Sequence, residues 1–351
     1  MSVNVIDWCE RGLVPDPLAR FGMRRLMAQR LRDESAGDVG ARHGALVQQL
    51  RESPVAINTQ DANAQHYEVP AEFFRLHLGP RLKYSCCLYG DGAETLAQAE
   101  EAMLNLYCER AGLTDGQRIL DLGCGWGSLS LFLAKKFPRA QIVGLSNSNG
   151  QREFIEGRAA ERGLGNVRIV TGNVVDFDFP ANGVSADFDR IVSIEMFEHM
   201  RNYATLLGKV ARWLRPGGQL FVHIFVHKTL AYPFEVKDGS DWMSQYFFTG
   251  GLMPSYDLLG QFQEHLKLEQ QWWVDGTHYQ RTSNHWLDGM DAARGEIRAV
   301  FAKAYGDAEA DRWVQRWRMF YMAVAELFGY REGSEWGVGH YRFARRDGAP
   351  V

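Results

Sequence analysis

The chain has 351 residues, 46% hydrophobic and 23% charged, an ordinary globular composition with ample length for a sizeable core. A net charge of −4 gives no basic footprint for nucleic acid and no general attraction to an anionic membrane. The five cysteines are odd in number with no Cys-x-x-Cys pair, which fits reduced thiols in a cytoplasmic protein.

The opening MSVNVIDWCE lacks a basic and apolar leader, and no run approaches about 18 apolar residues, so neither a signal peptide nor a span is expected. Residues 1 to 60 are polar and Arg-rich, with helical patterning around Phe21–Met27 and Leu46–Leu50. The cluster Arg24, Arg25, Arg30, Arg32 reads as a solvated helix face. Two aromatic-polar stretches, 65–78 and 83–89, precede the first strand and suggest a cover over its ligand. Glu94 to Leu113 reads as an amphipathic helix, with Leu96, Ala99, Met103, Leu106 and Tyr107 near helical spacing. Strands are then expected at 117–121, 141–145, 167–171, 188–194 and 218–226, alternating with helices. That alternation predicts an α/β fold with a parallel, doubly wound sheet. Pro216-Gly217-Gly218 marks a turn before the fifth strand. Beyond 227 the pattern predicts a strand at 267–274, helices at about 283–304 and 308–329, and a last strand near 336–344. The expected division is a helical N-terminal cover over 1–92, a ligand-binding core over 93–230, and substrate cap helices with the final strands over 231–351.

The most informative stretch is Ile119 to Gly127, ILDLGCGWG. An apolar strand ends in an acid, and glycines then alternate before a helix opening at Ser128. Glycine lets the backbone turn sharply and approach a ligand closely. Strand, turn and helix together describe a nucleotide-binding βα unit. The spacing G-x-G-x-G, and the absence of an acid after 141–145, where Ser146-Asn147-Ser148 stands instead, both count against NAD.

In open α/β sheets ligands bind beyond the carboxyl ends of the strands. Polar groups cluster there: Gly123 and Gly125; Ser146, Asn147 and Gln151; Asn173 and Val174, with the Asn173 amide oxygen an acceptor for an adenine amino group; Glu195, Glu198 and His199; and His223. If a helix begins near Glu195, then Glu195 and Glu198 share a face with His199 beside them. Two carboxylates and an imidazole suit a cationic ligand whose proton must be moved. Methyl transfer from a sulfonium needs that combination. A metal set of His223, His227 and Glu198 has weak support because the spacing matches no known motif, and a Ser-His-Asp hydrolase lacks its G-x-S-x-G turn. The Trp313, Trp317, Phe320, Val324, Phe328 stripe reads as core.

The glycine stretch resembles the S-adenosylmethionine site of class I methyltransferases. With QHYEVP, LKYSCCLY, SIEMFEHMRNY, LFVHIFVHKTLAYPFE, YFFTGG-x-MPS, HYQRTS and WR-x-F-x-x-AVAELFGY added, residues 65 to 343 resemble the coclaurine N-methyltransferase family, in the group that includes cyclopropane-fatty-acid synthases. The resemblance implies a Rossmann-like seven-stranded methyltransferase sheet with a helical N-terminal cover and a helical C-terminal insertion. It implies S-adenosylmethionine as cofactor, S-adenosylhomocysteine (SAH) as product, no metal, and a small secondary or tertiary amine as substrate. Tyr84 and Ser85 would contact the methionine part, with Gly123, Gly125, Ser146, Asn147, Gln151, Asn173, Val174 and Ile194 along the rest. Glu68, Glu195, Glu198 and His199 match positions that hold the amine and handle its proton. Glu195 and Glu68 are expected to orient it, and the Glu198–His199 pair to supply the base. Tyr67, Cys86, His223, Phe225 and Tyr279 would border the substrate. On the synthase side Cys86, Glu198, His223 and Tyr279 match positions around a bicarbonate base, which leaves cyclopropanation or C-methylation of a lipid as the alternative. The synthases, however, carry Gly where Glu195 stands. Stacking or cation–π contact from Tyr67, Phe225, Trp242, Phe247 and Phe248 suits a flat aromatic amine. A catalytically inactive small-molecule-binding fold is the third reading. Neither nucleic acid nor integral membrane association is expected, and a homodimer is consistent with the sequence.

Overall fold

The computed structural model describes residues 5–57, 69–90, 94–235 and 242–346. Tyr67 and Glu68 lie outside the described residues. The chain begins with helices α1 (Val5–Glu10), α2 (Asp16–Ser35), α3 (Val39–Glu52), α4 (Ala71–His77) and α5 (Leu96–Arg110). α5 starts where its sequence provides a reciprocal cap: the Thr95 side chain accepts from Gln98 N, and the Gln98 side chain accepts from Thr95 N.

The alternating core follows: β1 (Arg118–Leu122), α6 (Ser128–Lys136), β2 (Gln141–Ser146), α7 (Asn149–Glu161), β3 (Val167–Thr171), β4 (Phe188–Ile194), α8 (Tyr203–Trp213) and β5 (Leu214–His227). A short pair, β6 (Tyr232–Pro233) and β7 (Leu252–Met253), flanks α9 (Trp242–Tyr246). Then come β8 (Leu266–Val274), α10 (Gly276–Ala292), α11 (Arg294–Tyr305), α12 (Asp307–Phe328) and β9 (Trp336–Arg345).

Seven strands form one sheet in the order β3-β2-β1-β4-β5-β9-β8. The first five are parallel, and β9 runs antiparallel to both neighbours. Alternate strand residues feed two cores. Ile119, Ile142, Val192 and Phe221 pack with α5, α6 and α10–α12. Leu120, Val143, Ile191 and Val222 pack with α3 and α8. This is the burial expected of strands covered on both faces. Strand order reverses between β1 and β4, so their carboxyl ends open the crevice in which such folds bind ligands.

Three expectations need correction. The Pro216-Gly217-Gly218 turn lies inside β5 as a bulge: Leu214 pairs with Phe188 and Gln219 with Arg190, and Gly217 takes φ +72°. The helix expected at 283–304 is two, α10 and α11, broken at Ala293. α10 starts seven residues earlier because the Asp275 side chain caps Thr277 N and because Gly276 permits close packing. A Cβ at Gly276 would lie 2.1 Å from Trp336 O. Finally, no helix begins at Glu195. That residue adopts φ +47°, and a single 3₁₀ turn covers Phe197–His199.

The N-terminal helices are tied down by charge. α2 has no buried residue, yet Arg20 and Arg24 pair with Glu326 at 2.9 and 2.5 Å, and Asp16 pairs with Arg318 at 2.7 Å. In α1, Glu10 accepts from Arg316 at 3.0 and 3.1 Å and from Trp242 Nε1 at 2.8 Å. No helix among the described residues is long and apolar enough to cross a membrane.

Candidate active site

Beyond the ends of β1 and β4 lies a cavity of about 1060 Å³, bordered by Tyr84, Ser85, Gly123, Gly125, Gln151, Ile194, Glu195, Glu198, His199, Phe225 and Tyr279. A smaller one of about 70 Å³ shares Gly123, Gly125, Gln151 and His199 with it and adds Ser146, Asn147, Asn173 and Val174. Every described residue expected at the cofactor therefore borders one or the other of these two adjoining cavities.

The turn after β1 is built for close approach. Gly123, Gly125 and Gly127 have φ +85°, +51° and +78°, values that L side chains adopt at a cost. A Cβ on Gly123 would meet Met196 Cγ at 3.0 Å, and one on Gly127 would meet Ile155 at 2.7 Å. Asp121, buried at the end of β1, accepts from Ser130 Oγ at 2.6 Å, and burial lifts its carboxyl to about 6. After β2, Ser146 Oγ donates to Gln151 Oε1 at 2.7 Å, and Ser148 Oγ caps Gln151 N at 3.3 Å. The buried Gln151 Nε2 and Ser128 Oγ then have no partner among the described residues. Both residues border the cavity, so a polar ligand there would meet two orphaned groups. Asn173 Oδ1 already accepts from Val175 N at 3.0 Å. The oxygen expected to read an adenine amino group thus also shapes the loop.

Glu195 is the centre of the substrate side. Its Oε1 accepts from Cys86 N at 3.3 Å and His223 Nε2 at 3.1 Å, and its Oε2 accepts from Tyr279 OH at 2.7 Å. Burial raises this carboxyl to about 7 despite those donors. Glu198 is pushed well above the usual carboxylate range by burial first and by Glu195 second. Its Oε2 has no partner among the described residues. Two coupled, buried carboxylates do not both ionise readily. His199 stacks on Phe248 with centroids 6.1 Å apart.

Cys86 and His223, expected at the substrate, are fully buried and do not border the cavity. They face Glu195, which takes up their N–H groups. The contact is a hydrogen bond and not an ion pair, because burial holds His223 well below its ordinary pKa. Tyr279 does border the cavity, and its ring stacks on Phe328 at 4.5 Å. Of the aromatic candidates, Phe225, Trp242 and Phe248 border the cavity. Phe247 stacks on Phe320 at 4.3 Å and belongs to the core. His227 is engaged elsewhere, its Nδ1 accepting from Thr229 N and Leu230 N. Among the described residues no group of three or more His, Cys, Asp or Glu could hold a metal ion.

Sequence reasoning missed Lys83, Phe234, Trp286 and Phe320, which also border the cavity. Lys83 is buried, with Nζ donating to Ser85 Oγ at 2.5 Å and Cys86 O at 2.6 Å and lying 5.1 Å over the Tyr107 ring. A lysine inside the apolar LKYSCCLY run was the available signal, since lysine is rarely buried without a task.

A glycine-rich turn at the switch point, with an amide-lined groove beside it and a buried carboxylate facing an aromatic cavity, defines a class I S-adenosylmethionine-dependent methyltransferase. Comparison with known proteins refines this. The model for the mycolic acid cyclopropane synthetase family matches residues 56–332. The (S)-coclaurine N-methyltransferase of Thalictrum flavum subsp. glaucum is 36% identical across 98% of this chain and 96% of that protein. The crystal structure of coclaurine N-methyltransferase bound to N-methylheliamine and SAH has a TM-score of 0.92 at 36% identity, covering 97% of this chain and 98% of that one. The cyclopropane-fatty-acyl-phospholipid synthase of Escherichia coli K12 is 30% identical over 78% of this chain and 66% of its own length. The chain belongs to this family, and within it to the coclaurine N-methyltransferase-like enzymes.

Proposed function

We propose that the enzyme methylates the nitrogen of a small, flat, alkaloid-like amine, with Glu195 as the base. The observation that carries this is the Glu195 carboxylate on the cavity wall, held by three donors and raised by burial to about 7. A base is most effective when its pKa lies near the working pH. When bound, S-adenosylmethionine supplies an electrophilic methyl group on a sulfonium. The chain's own residues position the acceptor and move its proton. An ammonium entering the cavity meets the Glu195 carboxylate and the faces of Phe225, Phe234 and Phe248, whose rings pack together. Glu195 Oε2 takes the N–H proton, which leaves a nitrogen lone pair for in-line attack, and the aromatic walls exclude water. His199, bordering both cavities, is the second proton acceptor. Glu68 is the second carboxylate for the ammonium, and residues 1–92 and 231–351 serve as cover and cap around the core of 93–230.

The same geometry weighs against a lipid acceptor. The donors expected around a bicarbonate already hold the Glu195 carboxylate, and a charge facing an acyl chain is unfavourable. The reading includes a cytoplasmic location, supported by five unpaired cysteines. It also includes a homodimer, for which the exposed Trp8, Leu13 and Phe21 of the N-terminal segment offer apolar surface.

The test is methyl transfer from labelled S-adenosylmethionine to two pools in parallel. One holds secondary and tertiary amines, including tetrahydroisoquinolines; the other holds unsaturated phospholipid vesicles. Label in the amines is expected, and label confined to the lipid would overturn the proposal.

A further inference from the structure

The hydrogen bonds behind Glu195 run in one direction. A guanidinium only donates, and Arg110 at the end of α5 places Nη1 2.7 Å from His340 Nδ1. That nitrogen is therefore an acceptor. Burial holds His340 well below its ordinary pKa, with the Arg110 charge adding to the effect, so it is neutral and carries its hydrogen on Nε2. His340 Nε2 lies 2.8 Å from His223 Nδ1, across directly paired positions of β9 and β5. His223 Nδ1 is an acceptor in turn, shared with Tyr107 OH at 3.0 Å. The hydrogen of neutral His223 must then sit on Nε2, which faces Glu195 Oε1 at 3.1 Å. Donor inventory alone fixes both tautomers.

We propose that Arg110 and His340, neither of which borders the cavity, are positioning residues for the base. Acting through His223, they keep an N–H on Glu195 Oε1 and orient the carboxylate so that Oε2 meets the amine. The proposal rests on Glu195 being that base. A carboxylate has about four acceptor sites. Cys86 N and His223 Nε2 fill the two on Oε1, and Tyr279 OH fills one on Oε2, which leaves one for the substrate N–H.

The direction of the chain also settles where the proton goes. His223 Nε2 already bears a hydrogen, and Arg110 at the far end cannot accept one. A proton taken from the amine therefore does not leave through the histidines. It returns to the cavity side, where Glu198 and His199 stand. Arg110 is itself fixed, its guanidinium lying 5.1 Å over the Trp272 ring. The titratable groups facing Glu195 from the surrounding elements are Lys83, Cys86, Cys87, Tyr107, Glu198, His223 and Tyr279. The relay leaves all of them in place.

Four variants test this: His340→Leu and His340→Gln, Arg110→Met and Arg110→Lys. Loss of the donor frees His223 to turn a lone pair toward Oε1, which favours protonated Glu195. His340→Leu and Arg110→Met should lower kcat about tenfold and move the acidic limb of the kcat–pH profile to higher pH. The KM for S-adenosylmethionine should not change. His340→Gln keeps an amide N–H near the Nε2 position and Arg110→Lys keeps a donor, so both should recover most of the activity and the original limb. An unmoved limb in the His340→Leu and Arg110→Met variants, or equal loss in both members of a pair, would show a packing role and overturn the proposal. Should His340→Leu not fold, the half-buried Arg110 pair carries the test alone. Nitrogen NMR of 15N-histidine-labelled protein reads the relay without turnover: Nε2–H on both histidines is expected, and Nδ1–H on His223 would refute it. Wild-type activity in Glu195→Gln would instead remove the base assignment, with the NMR result still deciding the relay.

Discussion

Glu195→Gln separates basicity from packing. The amide oxygen can take the Oε1 position and accept from Cys86 N and His223 Nε2, now at 3.3 and 3.1 Å. The amide nitrogen then faces Tyr279 OH, which can accept as well as donate. The Tyr279 hydrogen then turns to the cavity that its residue borders, so the substitution costs the difference between one charge-assisted bond and one neutral bond, about 1 kcal/mol. What it removes, on the proposed mechanism, is the proton acceptor and the counter-charge for the ammonium. General-base catalysis contributes about 10²- to 10⁴-fold, so kcat for amine methylation should fall by about three orders of magnitude, or about 4 kcal/mol of barrier. Affinity for the cofactor should stay, because Gly123, Ser146 and Gln151 are untouched. The assay pairs steady-state methyl transfer with calorimetric titration of SAH. A loss under about fivefold, well below the range for a general base, or a parallel collapse of SAH affinity, would refute the assignment of Glu195 as base.

In the wild-type enzyme kcat/KM should rise with pH through an apparent pKa near 7, because the burial-raised Glu195 must lose its proton to act; a limb in the ordinary carboxylate range near 4 would count against it. The same shift has a stability consequence with a definite sign. Between about 4.5 and 7 the folded state holds a proton on Glu195 that the unfolded chain has lost, so this group's contribution to stability falls as pH rises through that window. Melting temperatures should thus favour Glu195→Gln over wild type progressively from pH 5 to 8, by at most about 3 kcal/mol, and a pH-independent difference would contradict it. Glu195→Gly relieves the left-handed backbone but strands the Cys86, His223 and Tyr279 donors. Formate or bicarbonate at millimolar concentration should partly restore amine methylation in that variant, whereas no response to either anion would show that the donors do not form a cradle. Gly123→Ala places a Cβ 3.0 Å from Met196 at φ +85°. It should weaken SAH binding by about tenfold or more with loss of about 1–2 kcal/mol of stability, measured by calorimetry and thermal unfolding.

Much of the fold was legible because local signals agreed with it. The glycine turn after β1, the apolar strands β1 to β4 and the Thr95–Gln98 cap each specify their element without help from distant residues. The legible part of the site was the set of polar residues at strand ends, since the parallel sheet brings those ends together whatever their sequence separation. Other features had no decisive local signature. Gly295, two residues past the break at Ala293, is its only local sign, and a lone glycine inside a helical pattern does not by itself end a helix. Glu195 looked like a helix start because an acid followed by Glu198 and His199 has the right spacing. Its φ of +47° is set by the tertiary site, since an acidic residue seldom enters that region unaided. His340 and Arg110 could not be recognised at all. Their role depends on two antiparallel strands placing His340 opposite His223, a pairing that no sequence spacing reports.

The strain at Glu195 and the donors around it have a common explanation. A non-glycine residue in the left-handed region costs about 1–2 kcal/mol and persists only where surrounding contacts demand it. Here Glu195 N donates to His223 O at 2.9 Å, while the carboxylate reaches back to the same histidine's Nε2 at 3.1 Å. Residue 195 is thus held at both its backbone and its side chain by one residue of β5. The turn that follows β4 points the carboxylate toward the backbone N–H of Cys86 and the Tyr279 hydroxyl, donors contributed by the segment between α4 and α5 and by α10. Those donors come from the fold and would accept any small anion of carboxylate shape. What residue 195 adds is a tethered charge that cannot diffuse away, at one fixed orientation toward the aromatic wall. A resident carboxylate suits an acceptor that arrives as a cation and must surrender a proton. It is ill matched to an alkene, which brings no charge to neutralise. On the proposed mechanism, the choice between nitrogen and lipid as methyl acceptor therefore rests on one side chain in a cradle that the rest of the site supplies.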